Sequence, residues 1–325
     1  MGLRITQLTE ETMDKRQFLA GLGLGVGMAA TAALAQDRQT DALGRTGDAP
    51  ARVIPRRQAK TTTLFLSPPS WPNAITVEPG KGFWVGEQRH DKVPEKAWLL
   101  DFKTGKVLRE VTTQCANTSG MCWGDGYLWS GANGASVIDA PNPPVNGVFQ
   151  TDMNSRTVSR RQIPFGPANN GGACHGASWQ VVDGKGKLWL WANRLDAIIR
   201  IDPKTWEVDW LIPAATNLVR RTHGIEYSNG FIYQVVGAQD PNVRGYEGYT
   251  PGLVKYEVAT NRVVEFIDFV PGSADIHDVC AIDGQLYGVD AGEHPGWPLL
   301  EKYKKPGWPL LNSPTAGQIV KIDLI

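Results

Sequence analysis

The sequence predicts an all-β protein assembled from repeats, and three observations lead to that class. The first is composition: 36 Gly, 22 Pro and 12 Trp among 325 residues suit a turn-rich chain better than a helical one. The second is self-similarity. Three segments open on histidine: H-G-A-S-W-Q-V-V-D-G-K-G-K-L-W from His175, H-G-I-E-Y-S-N-G-F-I-Y from His223 and H-D-V-C-A-I-D-G-Q-L-Y from His277. Each is a polar start, a short apolar strand, a D-G, N-G or G-K turn and a second apolar strand. The third is spacing. If the histidine is allowed to vary, the unit also starts at Asn73 and Ser119, so successive heads stand 46, 56, 48 and 54 residues apart. That is close to the period of a four-stranded propeller blade. The expectation is a five-bladed β-propeller, with six blades as the alternative if one is hidden in residues 290–318.

Taken in chain order, residues 1–35 read as an export signal. Asp14-Lys15-Arg16-Gln17-Phe18-Leu19 leads into a Gly/Ala-rich apolar stretch that ends at Ala33-Leu34-Ala35. A basic start, a modest apolar stretch and an A-x-A site describe a cleaved leader. The K-R-Q-F-L core is similar to a twin-arginine signal with Lys15 in place of the first arginine. The stretch is shorter than a firm membrane span of about 20 apolar residues. The expectation is therefore a periplasmic or secreted protein with no membrane attachment after signal removal. Residues 36–57 read as a polar, disordered tail, and 58–325 as a single propeller domain.

Each two-strand unit is followed by a third strand with a recurrent tail: W-L-L-D-F-K-T-G-K-V (98–107), V-F-Q-T-D-M-N-S-R-T-V (148–158), I-I-R-I-D-P-K-T-W-E-V (198–208), L-V-K-Y-E-V-A-T-N-R-V (253–263) and I-V-K-I-D-L-I (319–325). The last has no fourth strand after it. Thr61 to Leu66 precedes the first head and is expected to fill that place, closing the ring and removing open edges. Residues 290–318 hold a duplicated P-G-W-P-L-L, at Pro295 and Pro306. Their proline density excludes a central strand. An insertion serving as a lid or as an oligomer contact is expected there.

Formal net charge is zero and there is no Lys/Arg block, so nucleic acid is not an expected partner; a small-molecule substrate is. Cys115, Cys122, Cys174 and Cys280 allow one or two disulfides after export. The plainer reading makes them small buried residues near strand starts.

In an up-and-down blade the start of the innermost strand and the end of the second strand lie at one end. The heads Asn73, Ser119, His175, His223 and His277 should ring a channel mouth, and Glu87, Gln88, Arg89, His90 and His294 should arrive there from second strands. Three imidazoles on neighbouring strands suggest one divalent metal ion, with zinc, iron or manganese the most plausible identities. His175, His223 and His277 are its expected ligands, with His90, His294 and Arg89 as catalytic groups. Trp123, Trp179, Tyr227, Arg244, Gln88 and Glu87 are the expected substrate-binding residues. The plainer alternatives are a metal-free catalytic or binding cluster, or histidines that hydrogen-bond the backbone of the neighbouring blade. Trp84, Trp129 and Trp189, on second strands, are expected to pack between blades.

The H-G-x-x-(W/Y) heads with D-G or N-G turns resemble those of exported propeller proteins across residues 58–325. The blade count is similar to that of plant-type and bacterial glutaminyl cyclases. The repeat style resembles the gluconolactonase and virginiamycin B lyase groups, which use six and seven blades. The resemblance to oligogalacturonate lyases implies a metal set of His175, His223, His277 and Gln88. From these the leading expectation is a metal-dependent lyase acting on a small carboxylate- or carbonyl-bearing substrate, carbohydrate or aromatic in character. The alternatives are a metal-dependent lactonase or esterase, a non-catalytic periplasmic binding propeller, and a four-histidine iron oxidoreductase.

Overall fold

The computed structural model describes residues 53–68, 70–89, 94–132, 147–164, 173–193, 195–215, 222–237, 251–290 and 317–325. They contain twenty strands, and no helix is found among them. After β1 (Arg56–Leu66), three four-stranded antiparallel sheets follow in chain order. The first is β2 (Pro72–Glu78), β3 (Gly82–Glu87), β4 (Glu95–Asp101) and β5 (Val107–Thr113). The second is β6 (Thr118–Gly124), β7 (Tyr127–Ala132), β8 (Gly147–Thr151) and β9 (Thr157–Arg161). The third is β10 (Ala177–Val182), β11 (Lys185–Ala192), β12 (Ala197–Ile201) and β13 (Val208–Pro213).

The remaining strands form one eight-stranded sheet. They are β14 (Thr222–Ser228), β15 (Phe231–Val236), β16 (Gly252–Glu257), β17 (Arg262–Phe269), β18 (Ile276–Ile282), β19 (Gln285–Asp290) and β20 (Gln318–Leu324), with β1 inserted between β17 and β20. Up-and-down sheets of this kind, packed face to face through their first strands, make a β-propeller architecture. The first strands β2, β6, β10, β14 and β18 touch one another in a closed cycle.

The N-terminal strand joins the last third strand as its position before the first head suggests, with β1 antiparallel to β20 from Ala59↔Leu324 to Leu66↔Gln318. It also does something the sequence does not announce. Its first residues, Arg56 to Ala59, run parallel to Phe266–Phe269 of β17, so β1 begins two residues inside the segment read as a polar tail. Arg56 is held there by Asp268 at 2.5 Å, with its guanidinium over the Phe266 ring.

Local chemistry explains the hairpins. Asp125-Gly126, Asp183-Gly184, Asn229-Gly230 and Asp283-Gly284 each have positive φ at both residues, the type I′ geometry whose twist matches the flanking strands. At the opposite end of each hairpin the second strand finishes beside the head: Glu87 pairs with Pro72, Ala132 with Thr118, Val236 with Thr222 and Asp290 with Ile276.

The core lies between sheets. Trp84, Trp129 and Trp189 are buried and stack on Trp123, Trp179 and Tyr227 of the next sheet's first strand, with centroids 6.3, 6.1 and 6.2 Å apart. The inter-sheet role expected of the three second-strand tryptophans is therefore observed. Their indole N–H groups are satisfied by Glu78, Gly124 O and Gln180, as buried Trp requires.

A first strand has one edge with no neighbour in its own sheet, and its N–H groups need acceptors. Side chains at one repeat position supply them to the next sheet: Thr76 Oγ1 to Trp123 N (3.1 Å), Ser178 Oγ to Tyr227 N (2.9 Å) and Glu226 Oε1 to Ala281 N (3.1 Å). Asp278, fully buried, accepts from Ile75 N and Val279 N, both at 3.0 Å. From the neighbouring first strand β14, Gly224 also approaches this carboxyl closely: a Cβ there would stand 1.7 Å from Asp278 Oδ1. All four cysteines are buried and none is in a disulfide. Burial pushes the thiols up, Cys174 to about 12.

Candidate functional site

The site grows out of a distortion of the first strands. Ladder register slips at the head in four of them: between Pro72 and Ala74, Thr118 and Gly120, Thr222 and Ile225, and Ile276 and Asp278. Asn73, Ser119 and His277 are thus the extra residue of a β-bulge, and His223 lies within another. A bulge bends the strand and re-aims its side chain. His175 stands just before β10, tied by its N–H to Trp191 O at 3.0 Å.

The re-aimed side chains make a polar arc. His175 Nε2 and His223 Nδ1 are 3.2 Å apart, with the rings edge to face at 4.8 Å. The His223 ring stacks on His277 at 4.6 Å. His277 Nδ1 lies 2.6 Å from Asn73 Oδ1, and Asn73 Nδ2 donates to Thr118 O (2.9 Å) and Ser119 Oγ (3.3 Å). Gln88 Nε2 donates to the same Ser119 hydroxyl at 3.3 Å and to Asn117 Oδ1. His223 and His277 are 6% and 5% exposed, while His175 is half-buried; the arc therefore opens to solvent at its His175 end.

The arc assigns one tautomer. Thr118 O can only accept, so the Asn73 amide must turn its NH2 there and its oxygen toward His277. That oxygen also only accepts, so His277 Nδ1 carries the proton. Its Nε2 lies 3.8 Å from Asp275 Oδ2. Between His175 and His223 a single proton is shared.

Three of the residues expected to bind substrate are not at this end. Trp123, Trp179 and Tyr227 lie four positions beyond their heads, about 13 Å along a strand, and they are the inter-sheet stacking partners described above. Trp179 is further confined by Gly124 and Gly186, where a Cβ would fall within 2.1 and 1.9 Å of its ring. A four-residue offset along a strand keeps the face and changes the end.

Glu87 and Gln88 do reach the mouth, yet they are 3% and 5% exposed. Glu87 accepts from Lys96 N at 2.9 Å and Gln88 is held as above, so both brace the loops. Arg89 is half-buried, its guanidinium 3.9 Å from Glu87. His90, His294 and Arg244 lie outside the described residues.

The three histidines do come together. Two donor nitrogens 3.2 Å apart are spaced as neighbours on one ion would be. His277, however, turns Nδ1 to Asn73 and stacks flat on His223. Among the described residues no group of three or more His, Cys, Asp or Glu is gathered as a metal site.

Sequence reasoning missed the buried acids around the arc. Burial pushes Glu226 up to about 8 against hydrogen bonds from Ser178 Oγ (2.8 Å) and Ala281 N that lower it. Burial likewise raises Asp278 well above the carboxylate range. Glu226 stands three residues after His223 and Asp278 one after His277, and no other head carries an acid at either offset, so the repeat gives no signal for them.

The chain matches no protein-family model and no curated protein. Among solved structures it is similar to Myxococcus xanthus glutaminyl cyclase, at 12% identity and TM-score 0.49, over 84% of this chain and 100% of that one. It is also similar to a Bacteroides caccae protein of unknown function (12%, TM-score 0.43, 65% and 72% covered). A third is Kuenenia stuttgartiensis hydrazine synthase (16%, TM-score 0.42, 79% and 63% covered). The propeller assignment stands on the strand order given above.

Proposed function

We propose that this chain is an exported proton-transfer enzyme, a lyase for a small substrate bearing a carboxylate or carbonyl, working at the histidine end of a five-bladed propeller. The five-blade reading divides the eight-stranded sheet into β14–β17 and β18–β20 with β1, whose strand pairing among the described residues is the run of Arg56–Ala59 beside β17. It is supported by the closed cycle of five first strands. With residues 1–35 as a leader, the enzyme works in the periplasm or outside the cell.

One observation carries the chemistry: the 3.2 Å contact between half-buried His175 and buried His223. In the tautomer that donates Nε2–H to His223 Nδ1, His175 keeps Nδ1 as its basic nitrogen. A base held by a hydrogen-bonded partner is the arrangement general-base catalysis uses. His175 Nδ1 removes a proton from carbon next to the carbonyl or carboxylate. The electron pair left behind forms a C=C bond as the leaving group departs from the adjacent carbon. The imidazolium so formed shares its charge with His223, which His277 supports from the other face. No metal step enters this reading.

The test is deuterium wash-in from heavy water into a panel of small carboxylates and carbonyl compounds, followed by absorbance of a conjugated product. Wild-type protein should exchange at least one member, and His175→Ala and His223→Ala should lose exchange about 100-fold or more. Unchanged exchange in His175→Ala, or ligand binding without any exchange, would sink the reading. Metal analysis of untagged protein is its companion: one equivalent of metal that disappears in His223→Ala would put a metal centre in its place.

A further inference from the structure

We propose that Glu95 is a positioning residue for His277, acting through Thr118 and Asn73; the proposal rests on reading the histidine arc as the site. Glu95 opens β4, is 1% exposed and belongs to no motif of the repeat. Its carboxyl is a clamp on three points of the chain. Oε1 accepts from Arg89 N (2.8 Å) and Asn117 N (2.7 Å); Oε2 accepts from Thr118 N (3.0 Å) and Thr118 Oγ1 (2.5 Å). Arg89 follows β3, and Asn117 and Thr118 open β6, so one side chain ties the end of one sheet's second strand to the next sheet's head.

What the clamp holds is the far end of the arc. Asn117 sits at φ 58°, a left-handed conformation that costs energy unless its surroundings impose it. Its N–H bond to Glu95 and its side-chain bond to Gln88 do so. Thr118, fixed through both N–H and hydroxyl, presents the carbonyl that orients Asn73, and Asn73 in turn sets the proton on His277 Nδ1. The path is continuous: Glu95, Thr118, Asn73, His277, then the ring face of His223.

Arg89 and Glu87 stand at the end of β3, and Cys115 lies on the approach to β6, its thiol pushed up by burial and then by the Glu95 charge. Burial pushes Glu95 itself up to about 7, against the lowering effect of the four bonds it accepts. An amide cannot replace this carboxylate, because its NH2 would face N–H donors on whichever side it lay.

The experiment reads the imidazole protons of His277 by nitrogen-15 NMR of the full-length mature protein, the signal being assigned by its loss in His277→Asn. Wild type should show a single Nδ1-protonated ring with slow exchange of that proton. In Glu95→Gln the exchange should accelerate about tenfold or more, the factor that losing one hydrogen bond permits, and an Nε2-protonated population should appear. Thr118→Val, which removes one of the four bonds and little else, should move the same signal by less, and it decides the matter if Glu95→Gln does not fold. Glu78→Gln is the control for loss of a buried carboxylate: Glu78 bonds Trp84 and Lys81 at the other end of β2, and its removal should leave His277 unchanged. A folded Glu95→Gln with wild-type exchange, or an equal effect from Glu78→Gln, overturns the proposal. Because the readout needs no substrate, failure here is separable from failure of the lyase reading, which His175→Ala tests.

Discussion

The two ends of the same first strands are built by opposite rules. At the turn end, aromatic side chains repeat from sheet to sheet and are consumed by one another: Trp84 on Trp123, Trp129 on Trp179, Trp189 on Tyr227. At the head end the repeat position is polar and varied, Asn, Ser, His, His, His, and bulges turn those side chains out of the ladder. Repetition of a large aromatic residue at one offset marks packing, since each copy has an aromatic partner on the next sheet to bury it. Repetition of a polar head on a bulge marks a place where side chains meet across the ring.

The largest test of this contrast is at the turn end. Trp189→Ala should cost about 3–5 kcal/mol, the range for emptying a fully buried aromatic site, read as a lower urea midpoint at constant slope. His175→Ala, at the half-buried end of the arc, should stay within about 0.5 kcal/mol of wild type in the same titration while losing proton exchange. If both variants lose equal stability, the division between the ends fails.

Gly224→Ala probes the level between them. A methyl placed 1.7 Å from Asp278 Oδ1 must push two first strands apart, and a loss of about 1–3 kcal/mol is expected. A neutral result would mean that β14 and β18 are held less closely than the approach of Gly224 to Asp278 implies.

A further effect concerns pH. Glu226 is raised from 4.5 to about 8 in the folded protein. A carboxyl whose folded value lies above its unfolded one contributes stability that is fully present below the unfolded value and is lost as pH rises toward the folded value. Thermal midpoints should therefore fall between about pH 5 and pH 8, opposite to the usual acid-side loss, and Glu226→Gln should flatten that slope. A midpoint that rises over the same range would show that these acids are not neutral when buried.

Much of the ladder was legible beforehand. The D-G and N-G pairs located four hairpins because both residues of a type I′ turn need positive φ. The third-strand tails located β4, β8, β12, β16 and β20, and the orphaned 61–66 segment did join β20. The parallel contact of Arg56–Ala59 with β17 was not legible, since it depends on Asp268 and Phe266, more than 200 residues away. Clustering of the three head histidines was legible as well. Their roles were not: hydrogen bonds to Asn73 and stacking on His223 decide which nitrogen is available, and neither leaves a trace in the repeat.

The sequence by itself determined the periodicity, the turn chemistry and the end of the strands to which the histidines belong, because these follow from short-range alternation and glycine placement. Tertiary structure alone decided that Trp123, Trp179 and Tyr227 are mortar between sheets. It also made buried carboxyls at 95, 226 and 278 the acceptors for first-strand N–H groups, and it turned the histidine triplet into a hydrogen-bonded, stacked arc. The physical reason is common to all three. A first strand leaves one edge unpaired and one face uncovered, and what satisfies them comes from a neighbouring sheet whose distance and angle no local pattern encodes.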